Sequence, residues 1–390
     1  MSFSPDVVLI VGAGFSANAG LPLANKFTEC LLNLDGLNPA GPSAIQCRYI
    51  KEFVDQTFNE GAATPDDGWP ELEDIFTIID LSANTGHHLG TKYSAANLRL
   101  VRRALLVRIV RMLRQAHTTH RKSGASSKLL SKLFFWFDLE NTAVLSMNWD
   151  TVFEREIADA QMVTRVDYGC EATSKQFVKG ELKSRLHHDT KTLHLLKPHG
   201  SINWLYCDAC RELFWVPPAQ TESVARSLFQ ERDWNTIFGS SPPTAAPPTL
   251  RPSCPHCTAQ SLGTRIATFS YRKALDFPMY GASWRTGESY LKDASHWVFF
   301  GYSMPSADFE FKHMLKRVQL TERLRPRITV ITGGTVEAQL ATKERFRKFF
   351  GDKPLERKYF DVAQTDEILD HLQAVGALRS FNPRRRFRTS

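Results

Sequence analysis

The chain has 390 residues, 42% hydrophobic and 23% charged, with a formal net charge of +8; this is a globular composition that excludes wholesale disorder. No apolar run approaches the ~20 residues of a membrane span, and Asp6–Val11 is too short, and lacks the basic lead, for a secretory signal; a cytoplasmic protein with no membrane contact is expected. Five of the positive charges, Arg379, Arg384, Arg385, Arg386 and Arg388, follow the last acidic residue, Asp370, so the charge reads as a solvated basic tail or as a contact for nucleic acid or an acidic partner.

Residues 6–11 form an unbroken aliphatic run, as expected of a strand buried on both faces in a parallel sheet. Gly12-Ala13-Gly14-Phe15-Ser16 follows directly, then Gly20-Leu21-Pro22 and a helical pattern from Leu23 to Leu32. Residues 35–137 read as helical. Apolar stripes run over Glu71–Leu81 and Ala95–Leu113, the second with Arg102, Arg103, Arg108 and Arg111 mostly outside it, and Ser126–Phe137 makes a further helix. Thr142–Met147 returns to a buried strand, followed by Asn148-Trp149-Asp150 and a helix over Thr151–Ala158. Short strands are predicted at Val163–Val166 and Leu193–Leu196, the latter leading into Lys197-Pro198-His199-Gly200-Ser201. Prolines crowd residues 207–257, so that stretch reads as a loop-rich module needing a staple other than a core. Trp297–Phe300 with Gly301-Tyr302-Ser303 is another strand and turn. Ser306 is placed to cap a helix running to Val318, with Asp308 and Glu310 in its first turn, and Ile328–Ile331 into Gly333-Gly334 repeats the strand pattern.

These elements predict an α/β protein built on one doubly wound parallel sheet with two insertions. The sheet domain takes residues 1–34, 142–206 and 258–350, and the helical insertion residues 35–141. Residues 207–257 form the small module, and 351–390 a C-terminal helix and basic tail. In open α/β sheets, ligands bind beyond the carboxyl ends of the strands. Four predicted strands end in small or polar residues there: Gly12 to Ser16, Asn148 to Asp150, His199 to Ser201, and Gly301 to Ser303. Glycines let a backbone approach a pyrophosphate closely, and an imidazole beside a carboxylate offers a base near neutral pH. Each segment also has a plain structural reading, as a turn, a helix cap or a core histidine.

Cys207-Asp208-Ala209-Cys210 and Cys254-Pro255-His256-Cys257 supply four thiolates in two C-x-x-C knuckles, separated by 43 residues. Zinc favours this ligand set, and four thiolates leave it no open position, so a structural Zn2+ is expected. Two unconnected pairs of free thiols are the alternative. Cys30, Cys47 and Cys170 stand alone.

The series G-A-G-F-S-A-N-A-G-L-P at 12–22, M-N-W-D at 147–150, H-G-S at 199–201, the two C-x-x-C pairs and G-Y-S at 301–303 resembles the SIR2 (sirtuin) family, in the family's order from Gly12 to about Gly334. The resemblance implies a Rossmann-like NAD-binding domain with a helical and a zinc module. By the same resemblance, Gly12, Ala13, Gly14 and Ser16 line the pyrophosphate, and Gly301 and Ser303 sit by the adenosine half. Asn148 holds the nicotinamide-side ribose and a water, Asp150 accepts from the nicotinamide amide, and His199 is the general base.

The chain departs from deacylating sirtuins where those bind peptide. Leu21-Pro22 is followed by Leu23-Ala24-Asn25-Lys26 and not by an acidic-aromatic-Arg run. Tyr271-Arg272-Lys273 and Phe277-Pro278 stand where a phenylalanine-glycine-glutamate strand is usual, and Thr332-Gly333-Gly334 replaces the adenosine-side asparagine motif. The retained core resembles the SIR2-like proteins of bacterial anti-phage systems, as does Glu71–Phe76. That likeness implies an NAD+ hydrolase releasing ADP-ribose and nicotinamide, defending by NAD depletion and controlled through a homo-oligomer or a regulatory partner. The alternatives are an NAD-dependent protein deacylase, or a non-catalytic nucleotide or nucleic-acid module using the Arg384–Arg388 tail.

Overall fold

A seven-stranded, wholly parallel sheet organises the chain. The computed structural model describes residues 3–59, 68–124, 127–187, 191–229, 231–238, 252–260, 262–264, 278–306, 308–321, 326–351 and 356–380. In chain order the strands are β1 (Val7–Val11), β2 (Thr142–Ser146), β3 (Arg165–Asp167), β4 (Ala172–Val178), β5 (Glu181–Ser184), β6 (Thr192–Leu196), β7 (Trp204–Cys207), β8 (Leu213–Trp215), β9 (Leu262–Gly263), β10 (His296–Phe300), β11 (Arg327–Thr332) and β12 (Arg357–Asp361). The main sheet runs β12-β11-β10-β1-β2-β6-β3. From β1 the chain passes to β2, then to the edge strand β3 and back to β6 between them, and afterwards crosses to the other side of β1 for β10, β11 and β12. The strand order therefore reverses at β1.

The aliphatic runs of the central strands have a direct physical reason. Side chains alternate across a strand, and both faces here are covered. Val7, Leu9 and Val11 enter one core with Val144, Leu195, Val298 and Phe300. Val8 and Ile10 enter the other with Ala143, Leu145, Trp297 and Phe299. Each such aliphatic side chain contributes roughly 1.5–3 kcal/mol on burial.

After the short α1 (Ala13–Ala17), helices α2 (Ala24–Leu32), α3 (Pro42–Phe58), α4 (Leu72–Thr85), α5 (Ala95–Lys122) and α6 (Lys128–Trp136) lie between β1 and β2. They pack into the first core, together with α7 (Val152–Gln161). The helix predicted to end at Leu113 continues to Lys122, because His120, Arg121 and Lys122 suit the negative end of its dipole and Ser94 caps its start, accepting from the Asn97 N–H at 3.2 Å. Arg108 is not outside the apolar face: it is buried, donating to the Leu31 and Asn33 carbonyls at 3.0 Å each, where α2 ends.

The remaining helices are α8 (Thr221–Leu228), α9 (Glu231–Phe238), α10 (Pro278–Asp293), α11 (Phe309–Thr321), α12 (Val336–Phe350) and α13 (Thr365–Ala374). Side chains of α10, α11 and α12 fill the second core, and those of α13 join the first. The helix placed after Ser306 starts at Phe309. Asp308 precedes its first turn and Glu310 lies within it.

The smaller sheet, β5-β4-β8-β7-β9, carries the cysteine pairs and takes in residues 172–184, which the sequence reading gives to the main domain. Residues 207–257 also hold α8 and α9. Arg111 of α5 meets Glu222 of α8 at 3.1 Å, and Arg103 meets Asp233 of α9 at 2.7 Å, so this part docks on the helical insertion. Its proline-rich segment at 239–251 lies outside the described residues, as do Tyr271, Arg272, Lys273 and Phe277, and Arg384–Arg388 of the tail. Residues 351–380 contribute a strand, β12, as well as the expected helix. Among the described residues, no helix is long and apolar enough to cross a membrane.

Candidate functional site

The turns after β1, β2, β6 and β10 meet at the carboxyl edge of the sheet, at the reversal of strand order. Asn148 donates both amide hydrogens, one to the Gly12 carbonyl at 2.8 Å and one to Ser16 Oγ at 2.9 Å. A carbonyl only accepts, so the nitrogen faces Gly12 and the Asn148 side-chain oxygen points away from it. Ser16 passes its own proton on, donating to Asp150 Oδ2 at 2.7 Å, and Asp150 Oδ1 accepts from the Val152 N–H at 2.9 Å. Asp150 therefore satisfies the first amide of α7 while holding Ser16. Each carboxylate oxygen keeps one further lone pair for a ligand.

Gly12, Gly14 and Gly301 have an internal role. Gly301 adopts φ +63°, and a Cβ there would stand 2.0 Å from the Phe15 nitrogen; one on Gly12 would stand 2.7 Å from the Gly301 carbonyl oxygen. The Gly14 N–H donates to Gly301 O at 2.9 Å, and the Phe15 N–H to Gly12 O at 2.9 Å. Those two amides serve the protein itself. Ala13 is half-buried in this turn, and Ser303 is exposed beyond it, its carbonyl accepting from Arg345 Nε at 2.8 Å. Tyr302 is buried and donates to Asp308 Oδ2 at 2.9 Å, and burial with that carboxylate holds its phenol well above the usual range.

His199 lies in the turn after β6, buried, with its ring 6.0 Å from that of Trp284 on α10. The turn closes through the Gly200 N–H to Lys197 O at 2.9 Å, with Gly200 at φ +80°. It is joined to the β2 turn, since the Ile202 N–H and Ser201 Oγ both donate to the Trp149 carbonyl, at 2.9 and 3.3 Å. Beneath the two turns Lys197, 0% exposed, donates to the Asp150 carbonyl, to Glu154 Oε1 at 3.0 Å and to Ser201 Oγ at 2.7 Å. Glu154 also accepts from Tyr168 OH at 3.2 Å, and Tyr168 OH accepts from Asn203 Nδ2 at 3.3 Å. Burial pushes the Glu154 carboxyl up, and the Lys197 ammonium opposes that shift.

A narrow cleft of about 10 Å³ lies beside Asp150, lined by Leu21, His117, Arg155, Ile202 and Thr221 among others. The main sheet, the helical insertion and the smaller sheet's segment thus all contribute to its wall. Among the described residues, Asp150 is the only candidate residue that lines it. Trp284, Lys197 and Glu154 are site neighbours that sequence reasoning missed. The sole signal for Lys197 was its place immediately before Pro198 and His199.

The four cysteines Cys207, Cys210, Cys254 and Cys257 have their sulfurs within 4.8 Å of one another. Cys207 and Cys257 are 3.6 Å apart at sulfur, as are Cys210 and Cys254. A tetrahedron with metal–sulfur bonds of about 2.3 Å has edges of about 3.8 Å, whereas a disulfide would need about 2 Å. The cluster therefore fits a metal ion such as zinc, and the His256 N–H donates to Cys254 Sγ at 3.4 Å from outside the ligand shell. It belongs to the smaller sheet, since Cys207 ends β7 and Cys254 joins Leu205, Phe214 and Val216 in that sheet's core.

A scan against protein-family models finds no match to the chain, and a search of curated proteins finds no similar sequence.

Proposed function

We propose that the protein is a SIR2-like NAD+ hydrolase on a Rossmann-like, doubly wound sheet, cleaving the nicotinamide–ribose bond to give ADP-ribose and nicotinamide. One observation carries the reading: Asn148, Ser16 and Asp150 form a continuous hydrogen-bonded chain across the ends of β1 and β2, with the His199 turn bonded to the same loop. Groups fixed in this way act on a substrate without first having to be ordered.

In the reaction the C–N bond breaks with its electron pair leaving on nicotinamide, and a water oxygen bonds the anomeric carbon. Asn148, its amide hydrogens fixed on Gly12 and Ser16, presents its side-chain oxygen to that water. His199 takes the proton the water loses. Asp150 uses its remaining lone pairs to hold the nicotinamide amide. Gly12, Ala13, Gly14 and Ser16 border the diphosphate, and Gly301 and Ser303 the adenosine side. Zn2+ on Cys207, Cys210, Cys254 and Cys257 would have a closed shell of four thiolates, which suits a structural ion that staples the smaller sheet and takes no part in the reaction. The biological setting that fits this chemistry is anti-phage defence by NAD depletion, with activity held back by a homo-oligomer or a regulatory partner.

The test is to incubate the purified protein with NAD+ alone and follow products by chromatography. Equal amounts of nicotinamide and ADP-ribose, formed without any acyl-lysine peptide, support the hydrolase. Turnover that requires the peptide supports a deacylase, and absence of turnover with or without peptide removes both.

A further inference from the structure

Lys197 takes no part in the chemistry above, yet no charged side chain among the described residues is more enclosed. Taking an ammonium and a carboxylate out of water costs desolvation that their attraction offsets only in good geometry, and apolar side chains of similar volume often serve stability equally well. What Lys197 adds is direction. Its three N–H bonds go to three different places: the Asp150 carbonyl at the end of the β2 turn, Glu154 on α7, and Ser201 just past His199. Its own carbonyl accepts the Gly200 N–H and so closes the turn that carries His199.

We propose that Lys197 is a positioning residue: its buried ammonium, held by Glu154, locks the loop bearing Asn148 and Asp150 to the turn bearing His199. Without it the Ile202 N–H and Ser201 Oγ still join the two segments, but both bonds end on the one Trp149 carbonyl, a point about which the segments can pivot. A lone ammonium or carboxylate left in this site would threaten folding. The informative variant is therefore the double substitution Lys197→Met with Glu154→Gln, which removes both charges and leaves an acceptor for Tyr168.

The kinetic consequence rests on the NAD-cleaving reading, whereas the structural one does not. In the full-length protein, kcat for nicotinamide release is expected to fall on the order of 100-fold in the double variant, because a misplacement near 1 Å costs about that much. KM should stay within about threefold, because the groups that bind the dinucleotide remain. Unchanged kcat, or a loss confined to KM, would overturn the proposal. Wild-type protein that leaves NAD+ intact would overturn the hydrolase reading alone, and crystal structures of the two proteins would then decide. A changed spacing between the His199 ring and the Asp150 carboxylate supports the positioning role, and an unchanged spacing refutes it.

Discussion

Ser16 and Asp150, 134 positions apart in the chain, share a 2.7 Å hydrogen bond with both residues buried. It is the middle link between the turn after β1 and the first amide of α7, with Asn148 donating to Ser16 from the other side. Ser16→Ala leaves a buried carboxylate oxygen and an amide N–H without their partner, at a cost of about 1–3 kcal/mol. Denaturant titration should show this loss, and nicotinamide release should fall with it. Full stability in Ser16→Ala would mean that the link contributes nothing.

Gly301→Ala should be among the most damaging single substitutions in the chain. The residue sits at φ +63°, and its new Cβ would meet backbone atoms of Gly14 and Phe15, which cannot yield as a flexible side chain would. A non-glycine residue in a strained backbone region costs of order 1–3 kcal/mol before any clash is counted. We expect a protein that unfolds at markedly lower denaturant or is recovered insoluble. Gly36→Ala is a suitable control, since it also has positive φ but nothing within 4 Å of its added atom.

The four-cysteine cluster predicts one tightly held metal ion per chain, measurable by elemental analysis of the purified protein. Chelation, or Cys254→Ser, should lower the melting temperature, because binding free energy at such a site is folding free energy. An unchanged melting temperature after demonstrated metal loss would refute the stapling role.

Stability should fall as the pH drops from about 6.5 toward 4. Burial lowers the His296 pKa to about 4, with His371 and Arg327 adding to the effect while Glu356 opposes it. Thr329 Oγ1 lies between the two imidazoles, 2.8 Å from His296 Nε2 and 2.7 Å from His371 Nε2, and the His371 pKa is also lowered. Between about 4 and 6.5 the unfolded chain binds a proton at position 296 that the folded chain refuses, so stability rises with pH across that window and levels off above it. Melting curves of wild type and His296→Gln should converge as the pH is lowered. Curves that stay parallel from pH 7 to pH 5 would contradict this account.

The central strands were legible because parallel strands covered on both faces read as unbroken apolar runs, as in β1, β2 and β10. Edge strands carry no such mark. Arg357–Asp361 is polar and half-exposed, and only its pairing with β11 makes it a strand, whereas at the other edge Val163–Val166 read as a short strand and the observed one is shifted to Arg165–Asp167. The polar turn residues Asn148, Asp150 and His199 stood out because each followed a strand. Lys197, Glu154 and Arg108 did not: long charged side chains read as solvated until tertiary packing supplies a buried partner from elsewhere in the chain. Gly12 and Gly14 read as a phosphate approach, yet the crowding against Gly301 is a second and sufficient reason for glycine at both positions.

The most direct measurement is NAD+ turnover by the wild type beside His199→Ala and Asn148→Ala, with melting temperatures recorded for all three. The account predicts nicotinamide release by the wild type and a loss of at least about 100-fold in each variant, as for removal of a general base or a positioning group, with each variant still folded. Folded variants that cleave NAD+ at the wild-type rate would contradict it.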